Sequence, residues 1–207
     1  MTPRERFLKV LNFDRPDDRL PMVEWAAWWD KTVERWEGEG LPAGMALDES
    51  QEYFGLDILS RLALRTKSGG CPKPGRHGAG IITGEKSYEE IRPFLYAEKS
   101  IRKMKEEAFT LKERHENGQI IIRLQMDGFF WFPRTLLGIE NHFFAFYDQP
   151  ALMHRINREL ADFLVMAVEE LCPILVPDMA GFAEDMSYNN GPMLSYELFK
   201  EFLLPYY

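Results

Sequence analysis

The sequence is poor in cysteine and has no long hydrophobic segment. Its 207 residues include only two cysteines, Cys71 and Cys172, which are too few for the disulfide framework of a small secreted protein. The unbroken apolar runs are far shorter than the roughly 20 residues of a membrane-spanning helix. The amino-terminal segment MTPRERFLKV lacks the apolar stretch of a signal peptide. These absences predict a cytoplasmic protein that does not enter a membrane.

The chain also lacks a surplus of positive charge. It contains 25 Lys and Arg against 33 Asp and Glu, which gives a formal net charge of −8. An acidic protein is not attracted to the phosphates of nucleic acid or to an anionic membrane. Because 45% of the residues are apolar and 14% are aromatic, the composition is that of a globular chain and not of a disordered one.

Strand and helix patterns alternate along the sequence. Thr2, Pro3 and Glu5 form the pattern of a capping box at the start of a first helix. Four later segments have the composition of strands: residues 20–25, 56–65, 119–126 and 179–186. Amphipathic helix patterns separate them, and no internal repeat or linker divides the chain. Strands separated by helices predict a parallel β/α architecture.

The segment 119–127 carries polar residues at alternate positions. Because strand side chains alternate between two faces, Arg123, Gln125 and Asp127 point the same way. A parallel strand buried on both sides is apolar on both faces, so this row indicates a polar cavity with Asp127 at its mouth. An edge strand with a solvated face explains the same pattern equally well.

Other carboxylates fall at the ends of predicted strands. Glu24 ends the first strand, and Glu184 and Asp185 end the last. Sites in parallel β/α proteins lie at the carboxyl ends of the strands, so these groups are expected to converge with Asp127. Convergent carboxylates act as general acids or bases, or bind metals and cationic groups. Each of them could equally cap a following helix.

The segment SYNNGPMLS, residues 187–195, follows the last predicted strand. Its Asn-Asn-Gly sequence suits a turn with positive φ, and Ser195 suits a helix cap. Tyr188 and Asn189 are left as candidate contacts to a substrate, because loops carry a large share of binding residues.

A glycine-rich segment, residues 67–80, contains several cations, among them Lys67, in an otherwise acidic protein. It could receive an anionic substrate, but it matches neither a P-loop nor a dinucleotide-binding fingerprint. A mobile surface loop explains its composition better. Its Cys71 and His77 alone do not make a zinc site.

Four stretches resemble the uroporphyrinogen decarboxylase superfamily. They are the opening TPRERFLKVLNFDRPDDRLPMVEW, the FGLD at Phe54–Asp57, the GFFWFPRTLLG at Gly128–Gly138 and the closing GFAEDMSYNNGPMLSYELFKEFLLPYY. The closing stretch is the most specific, because a strand-end Glu-Asp pair, a Tyr-Asn-Asn-Gly-Pro loop and a capped helix follow one another. The similarity extends over essentially the whole chain.

The resemblance implies a (β/α)₈ TIM barrel with its substrate cleft at the C-terminal mouth. A complete barrel typically needs about 250 residues. We therefore expect residues 1–207 to form a single domain of this superfamily, an incomplete barrel that comprises the N-terminal half to two-thirds and is truncated at its C-terminus. Such an open barrel exposes an unpaired strand edge and apolar helix faces, which favours a homo-oligomer or instability.

The resemblance also implies two chemistries. Decarboxylases of the superfamily remove acetate carboxyls from uroporphyrinogen III in porphyrin biosynthesis without a cofactor. Their corrinoid-dependent relatives move a methyl group from a methylated corrinoid to a thiol held on zinc. The implied partners are a tetrapyrrole or corrinoid ligand, or a corrinoid protein. Within this chain no cofactor is expected; zinc and a methylated corrinoid follow only from the methyltransferase interpretation, whose zinc ligands lie in the second half of the barrel.

The sequence departs from the decarboxylase pattern in three places, one of which is near Ile139, where decarboxylases have a tyrosine. Decarboxylases have an arginine-rich segment after the first strand, whereas residues 24–31 read EWAAWWDK. Their key aspartate is missing from SRLALR at residues 60–65. Because acetate groups need cationic partners, corrinoid-linked methyl transfer or an uncharacterised activity of the superfamily is favoured over porphyrinogen decarboxylation. A non-catalytic domain that binds a corrinoid or tetrapyrrole is the alternative from another class.

Seven site residues are predicted, and none of them is a metal ligand. The catalytic candidates would orient the substrate or exchange protons. The substrate-binding candidates would contact the substrate, with Arg123 holding an anionic group. The catalytic candidates are Glu24, Asp127, Glu184 and Asp185, and the substrate-binding candidates are Arg123, Tyr188 and Asn189.

Overall fold

The computed structural model describes residues 1–207, which form an α/β structure around a small parallel sheet. The sheet has three strands, hydrogen-bonded in chain order: β1 (Ile58–Ala63), β2 (Ile120–Asp127) and β3 (Met179–Ala183). Both pairs of neighbouring strands are parallel. A separate antiparallel ribbon pairs β4 (Ser187–Tyr188) with β5 (Gly191–Pro192).

Nine α-helices surround the strands. Their bounds are α1 Pro3–Leu11, α2 Asp30–Glu39, α3 Leu47–Tyr53, α4 Glu85–Ile91, α5 Glu98–Glu116, α6 Trp131–Leu137, α7 Ile139–Asp148, α8 Pro150–Leu171 and α9 Tyr196–Phe202. Short 3₁₀ helices cover Arg92–Phe94 and Leu204–Tyr206. None of the helices combines the length and the apolar composition that a bilayer-spanning segment needs. The cytoplasmic location stays a prediction.

The (β/α)₈ barrel expected from the resemblance is wrong, and so is its incomplete form. The parallel sheet has only three strands, and its outer strands β1 and β3 each have one unpaired edge. Residues 20–25, predicted as the first strand, are irregular, and their backbone pairing is limited to the Asp57 N–H bound to the Met22 carbonyl at 2.7 Å. After β3 the chain enters the short β4–β5 ribbon. Alternating strand and helix patterns occur in open sheets as well as in barrels, so the local pattern did not distinguish them.

The other predicted elements are confirmed where their signals are local. Strands β1 to β3 fall in the three remaining strand segments. At the start of α1, Thr2 Oγ1 accepts the Glu5 N–H at 3.2 Å and the Thr2 N–H donates to the Glu5 carboxylate at 2.9 Å. Ser195 caps α9 by accepting the Leu198 N–H at 3.3 Å. A capping box needs only neighbouring residues, which is why the sequence predicts it well.

The hydrophobic core lies on one face of the sheet, against α5 and α8. Alternate residues of β2 point to this face, and apolar residues spaced by three or four positions on the two helices pack against them. The core includes Ile120, Ile122, Leu124 and Met126 of β2, Ile101, Met104 and Ala108 of α5, and Ile156, Leu160 and Phe163 of α8. The opposite face of the sheet is therefore the one that remains for polar groups.

A buried ion network ties the amino-terminal segment to the start of β1. Asp57 is only 2% exposed, and its carboxylate accepts hydrogen bonds from Arg6 at 2.6 Å and from Arg19 at 2.7 and 3.0 Å. It also accepts the Met22 N–H at 2.9 Å. Asp18 binds the other side of the Arg6 guanidinium, which holds the pKa of the Asp18 carboxyl well below its usual range. The network satisfies both buried charges, Arg6 and Asp57.

Candidate functional site

The face of the sheet opposite the core carries the polar row predicted on β2. Strand pairing places Arg123, Gln125 and Asp127 on the same side as Gly181 and Ala183 of β3. The three polar side chains are half-buried. Because β2 is the central strand of the sheet, the edge-strand explanation of this row is excluded.

Asp127, the last residue of β2, lies near Lys67, which follows β1. Burial raises the pKa of Asp127, while the neighbouring Thr66 hydroxyl and Lys67 ammonium lower it. Burial lowers the pKa of Lys67, while Cys71 and Asp127 raise it. The two groups influence each other without forming an ion pair, so the shifts come mainly from desolvation. Both groups can therefore exchange protons at a pH closer to neutrality than in water.

Contacts with α6 hold the Lys67 ammonium in place, and Cys71 lies close to it. The Lys67 ammonium donates to the Thr135 carbonyl at 3.3 Å and lies 5.9 Å from the centre of the Phe132 ring. Cys71 is half-buried; burial raises the pKa of its thiol, and Lys67 lowers it. Thr66, Lys67, Cys71 and Asp127 together are named the Asp127–Lys67 site. It lies at the carboxyl ends of β1 and β2, the edge where parallel α/β proteins bind their ligands.

Arg123 lies in the middle of the polar row, beside Trp25. Its guanidinium carbon is 6.0 Å from the centre of the Trp25 ring, a cation–π distance. Gly181 leaves space for it, because a Cβ there would lie 2.8 Å from the Arg123 Nε. This Nε is buried and has no hydrogen-bond acceptor. The half-buried guanidinium forms no ion pair within the protein, so its terminal N–H groups can bind an anionic group of a ligand.

Glu184 follows β3 and binds the turn that follows β2. Its carboxylate accepts the N–H groups of Phe130 at 3.0 Å and Trp131 at 2.8 Å, and also the Tyr207 hydroxyl. Gly128 permits this approach, because a Cβ there would lie 2.1 Å from the Glu184 carboxyl carbon. Burial raises the pKa of Glu184, and these hydrogen bonds lower it. Glu184 is at the same sheet edge as Asp127, but its contacts make it an anchor for the start of α6.

Two predicted carboxylates lie away from Asp127. Glu24 accepts the Ala26 N–H at 3.1 Å and lines a separate cavity of about 360 Å³ beside the first half of β1. Residues 20–25 form no strand, so Glu24 does not lie at a strand end as predicted. Asp185 is exposed, with its carboxylate 3.7 Å from Arg134 Nη1.

Tyr188 and Asn189 lie on the β4–β5 ribbon. Tyr188 pairs with Gly191, and both predicted residues are exposed. The Asn189 side-chain amide donates to Asn190 Oδ1 at 3.3 Å, within the turn. No hydrogen bond joins either residue to Arg123 or to the Asp127–Lys67 site.

Sequence reasoning missed Lys67 and Cys71, which it placed in a mobile surface loop. The available signal was position. Lys67 follows the predicted strand 56–65 by two residues, and residues just beyond a strand's carboxyl end are the ones that reach a site. The composition of the glycine-rich segment obscured this signal.

Zinc and a methylated corrinoid, which follow only from the methyltransferase interpretation, stay predictions. No three His, Cys, Asp or Glu side chains lie close enough together to hold a metal ion. We therefore assign no step to a metal. Membership of the uroporphyrinogen decarboxylase superfamily stays a prediction, since no protein-family model, no curated protein and no solved structure matches the chain.

Proposed function

We propose that this chain is an enzyme domain that transfers a proton to or from a bound anionic substrate at the Asp127–Lys67 site. The observation that carries the proposal is a half-buried carboxyl near a half-buried ammonium at the carboxyl ends of β1 and β2, where burial raises the pKa of the first and lowers the pKa of the second. Structural ion pairs also perturb pKa values, but these two groups form no ion pair. Perturbed groups held apart at the carboxyl edge of a parallel sheet are typical of a catalytic site.

Each polar group has a role in this proposal. Asp127 is the proton donor or acceptor, because its raised pKa brings the carboxyl closer to the pH at which it can do both. Lys67 holds an anionic group of the substrate near that carboxyl. Arg123, whose half-buried guanidinium forms no ion pair within the protein, binds a second anionic group.

The resemblance extends the proposal to a type of reaction. Decarboxylation replaces CO₂ on carbon with a proton, and methyl transfer to a thiol releases the thiol proton, so both chemistries need a group such as Asp127. We favour corrinoid-linked methyl transfer or an uncharacterised activity of the uroporphyrinogen decarboxylase superfamily. Decarboxylation of uroporphyrinogen III is the alternative, disfavoured because residues 24–31 contain no arginine for the acetate groups.

Exposed aromatic residues support a ligand with a large flat ring. The side chains of Trp25 and Trp29 are 68% and 81% exposed, which is unusual for such large apolar groups. Trp25 also lies against Arg123, next to the polar row of β2. A corrinoid or tetrapyrrole that stacked on the Trp25 ring would bring its carboxylates towards Arg123.

Substitution of Asp127 tests the proposal. Cobalamin and coproporphyrin binding is measured by absorption spectra, and turnover by methyl transfer from methylcobalamin to a thiol and by CO₂ release from uroporphyrinogen III. We expect Asp127→Asn to lower turnover by about 10²- to 10⁴-fold, the usual worth of a general acid or base, with little change in ring binding.

Asp148→Asn is the matched control, because it makes the same carboxylate-to-amide change at an exposed position outside the predicted site. It should turn over at the wild-type rate. A wild-type rate for Asp127→Asn would contradict the assignment of the proton to this residue. Wild-type protein that binds a ring without turnover would instead support the non-catalytic binding domain, and binding of neither ring would remove both ligand classes.

A further inference from the structure

A groove beside the outer edge of β1 gathers cationic side chains. It has a volume of about 770 Å³ and lies between β1, the loop that follows it and the start of α5. The residues that give it positive charge are Arg61, Arg65, Lys67, Lys99 and Lys103. Glu107 is its only acidic lining residue. This surface, named the cationic groove, reverses the charge balance of a protein whose net charge is −8.

None of the five cations forms an ion pair within the protein. Elsewhere in the chain other cations form several ion pairs. Arg6 pairs with two carboxylates, and Arg155 pairs with three. Arg61 also borders the cavity of Glu24, but no ion pair joins them. Like charges that lie together without counter-charges repel one another, so a bound anion would relieve the repulsion.

Main-chain N–H groups in the same segments also lack partners. The N–H groups of Gly69, Gly70, Glu98 and Lys99 donate to no acceptor in the protein. Glu98 and Lys99 begin α5, a helix of 19 residues whose N-cap residue Ala97 provides no side-chain cap. The uncapped start of a long helix carries partial positive charge and free donors, which together favour a phosphate.

We infer that the cationic groove binds a small molecule that carries two or more phosphate groups. Its volume is that of a site for a drug-sized ligand. The apolar lining residues are two alanines, Ala63 and Ala97, so recognition rests on charge and hydrogen bonds and not on an apolar surface. Guanidinium forks, ammonium groups and free N–H groups are the donors that bind multiply charged phosphates. The two sites share Lys67, but the inference does not rest on the proposed function, because the other four cations and the free N–H groups carry it.

Calorimetric titration with inorganic diphosphate and tripolyphosphate tests the inference on the full chain. The variant Lys99→Gln/Lys103→Gln removes two groove cations and leaves Asp127 and Lys67 intact. We expect it to weaken diphosphate binding by about 10-fold or more, since each lost contact is a charge-assisted hydrogen bond. The matched control Lys31→Gln/Lys86→Gln removes two exposed, unpaired lysines outside the groove and should bind as the wild type does.

Three results would overturn the inference. The first is the absence of binding heat when wild-type protein is titrated with millimolar diphosphate or tripolyphosphate. The second is an equal loss of binding in both double variants, which would reduce the effect to net charge. Citrate that bound more tightly than diphosphate would assign the groove to a polycarboxylate instead. Arg65→Gln provides a second, independent variant, and circular dichroism checks that each variant is folded.

Discussion

At the residue scale, Asp127 and Glu184 show how surroundings separate two similar strand-end carboxylates. Glu184 accepts two backbone N–H groups and a tyrosine hydroxyl, so its oxygens are already occupied. Asp127 forms no ion pair, and the Thr66 hydroxyl and the Lys67 ammonium are the neighbours that lower its pKa. Its carboxylate therefore keeps hydrogen-bonding capacity for a ligand. The two residues have the same position relative to their strands, so the sequence did not distinguish their roles.

The pKa of the Cys71 thiol depends on the charge of Lys67. The Lys67 ammonium lowers the pKa of this thiol against the effect of burial. We therefore expect Lys67→Met to raise the Cys71 pKa and to slow its alkylation by iodoacetamide at pH 8, because only the thiolate reacts. Mass spectrometry of the labelled peptides measures the rate. Cys172 in the same molecules is the internal control and should react at an unchanged rate, whereas equal slowing at both cysteines would contradict the proximity of Lys67 to Cys71.

His142 makes stability depend on pH. It is fully buried against Phe130 and Phe146, and neither ring nitrogen has a hydrogen-bond partner. Burial, with a smaller effect of Arg134, lowers its pKa to about 3. In the unfolded chain the imidazole binds a proton below about pH 6.5. The stability that the buried neutral imidazole contributes is therefore fully present above that pH and is lost as the pH falls towards 3.

Because of His142, we expect the free energy of unfolding to fall by about 2 kcal/mol when the pH is lowered from 7 to 5. The variant His142→Phe keeps an aromatic ring and removes the titrating group, so its unfolding free energy should change less over the same interval. Urea denaturation at pH 5, 6 and 7 measures both curves. Parallel curves for the wild type and the variant would show that His142 does not carry the dependence.

At the scale of elements, local signals succeeded for two helix starts and failed for one strand. The capping pattern around Thr2 and the cap at Ser195 involve only neighbouring residues, and both form as predicted. Residues 20–25 have the composition of a strand, yet they are irregular. A strand needs a hydrogen-bonding partner along its length, and this segment has a partner only at Asp57. Composition records the preference of a segment but not the presence of that partner.

Asp57 joins α1 to β1, so its loss should destabilise the whole arrangement. Asp57→Ala leaves the buried Arg6 without one of its two carboxylates, and Arg19 loses its ion pair. We expect the free energy of unfolding to fall by about 3–5 kcal/mol, the usual cost of breaking a buried ion pair. Chemical denaturation measures it.

Asp17→Ala is the control for this substitution, because Asp17 is exposed and its pair with Lys9 lies on the surface. Surface ion pairs contribute about 0–1 kcal/mol, so the control should differ little from the wild type. Equal effects of the two substitutions would show that the buried network does not stabilise the protein more than a surface pair does.

At the scale of the whole molecule, a three-stranded sheet separates an apolar face from a polar one. The apolar face is covered by α5 and α8, and the polar face carries Arg123 and Asp127. The unpaired outer edge of β1 borders the cationic groove, which places the two proposed sites on either side of Lys67. Association into a homo-oligomer and the single-domain organisation of residues 1–207 stay predictions.

The sequence by itself determined the starts of α1 and α9, three of the strands and the polar row on β2, because these depend on neighbouring residues and on a period of two or 3.6. Only the tertiary structure decided that the sheet has three strands, that Glu184 anchors α6 and that Lys67 approaches Asp127. Strand number depends on pairing between distant segments. The pKa of a side chain depends on burial and on charges that are remote in the chain, and neither quantity is contained in a local pattern.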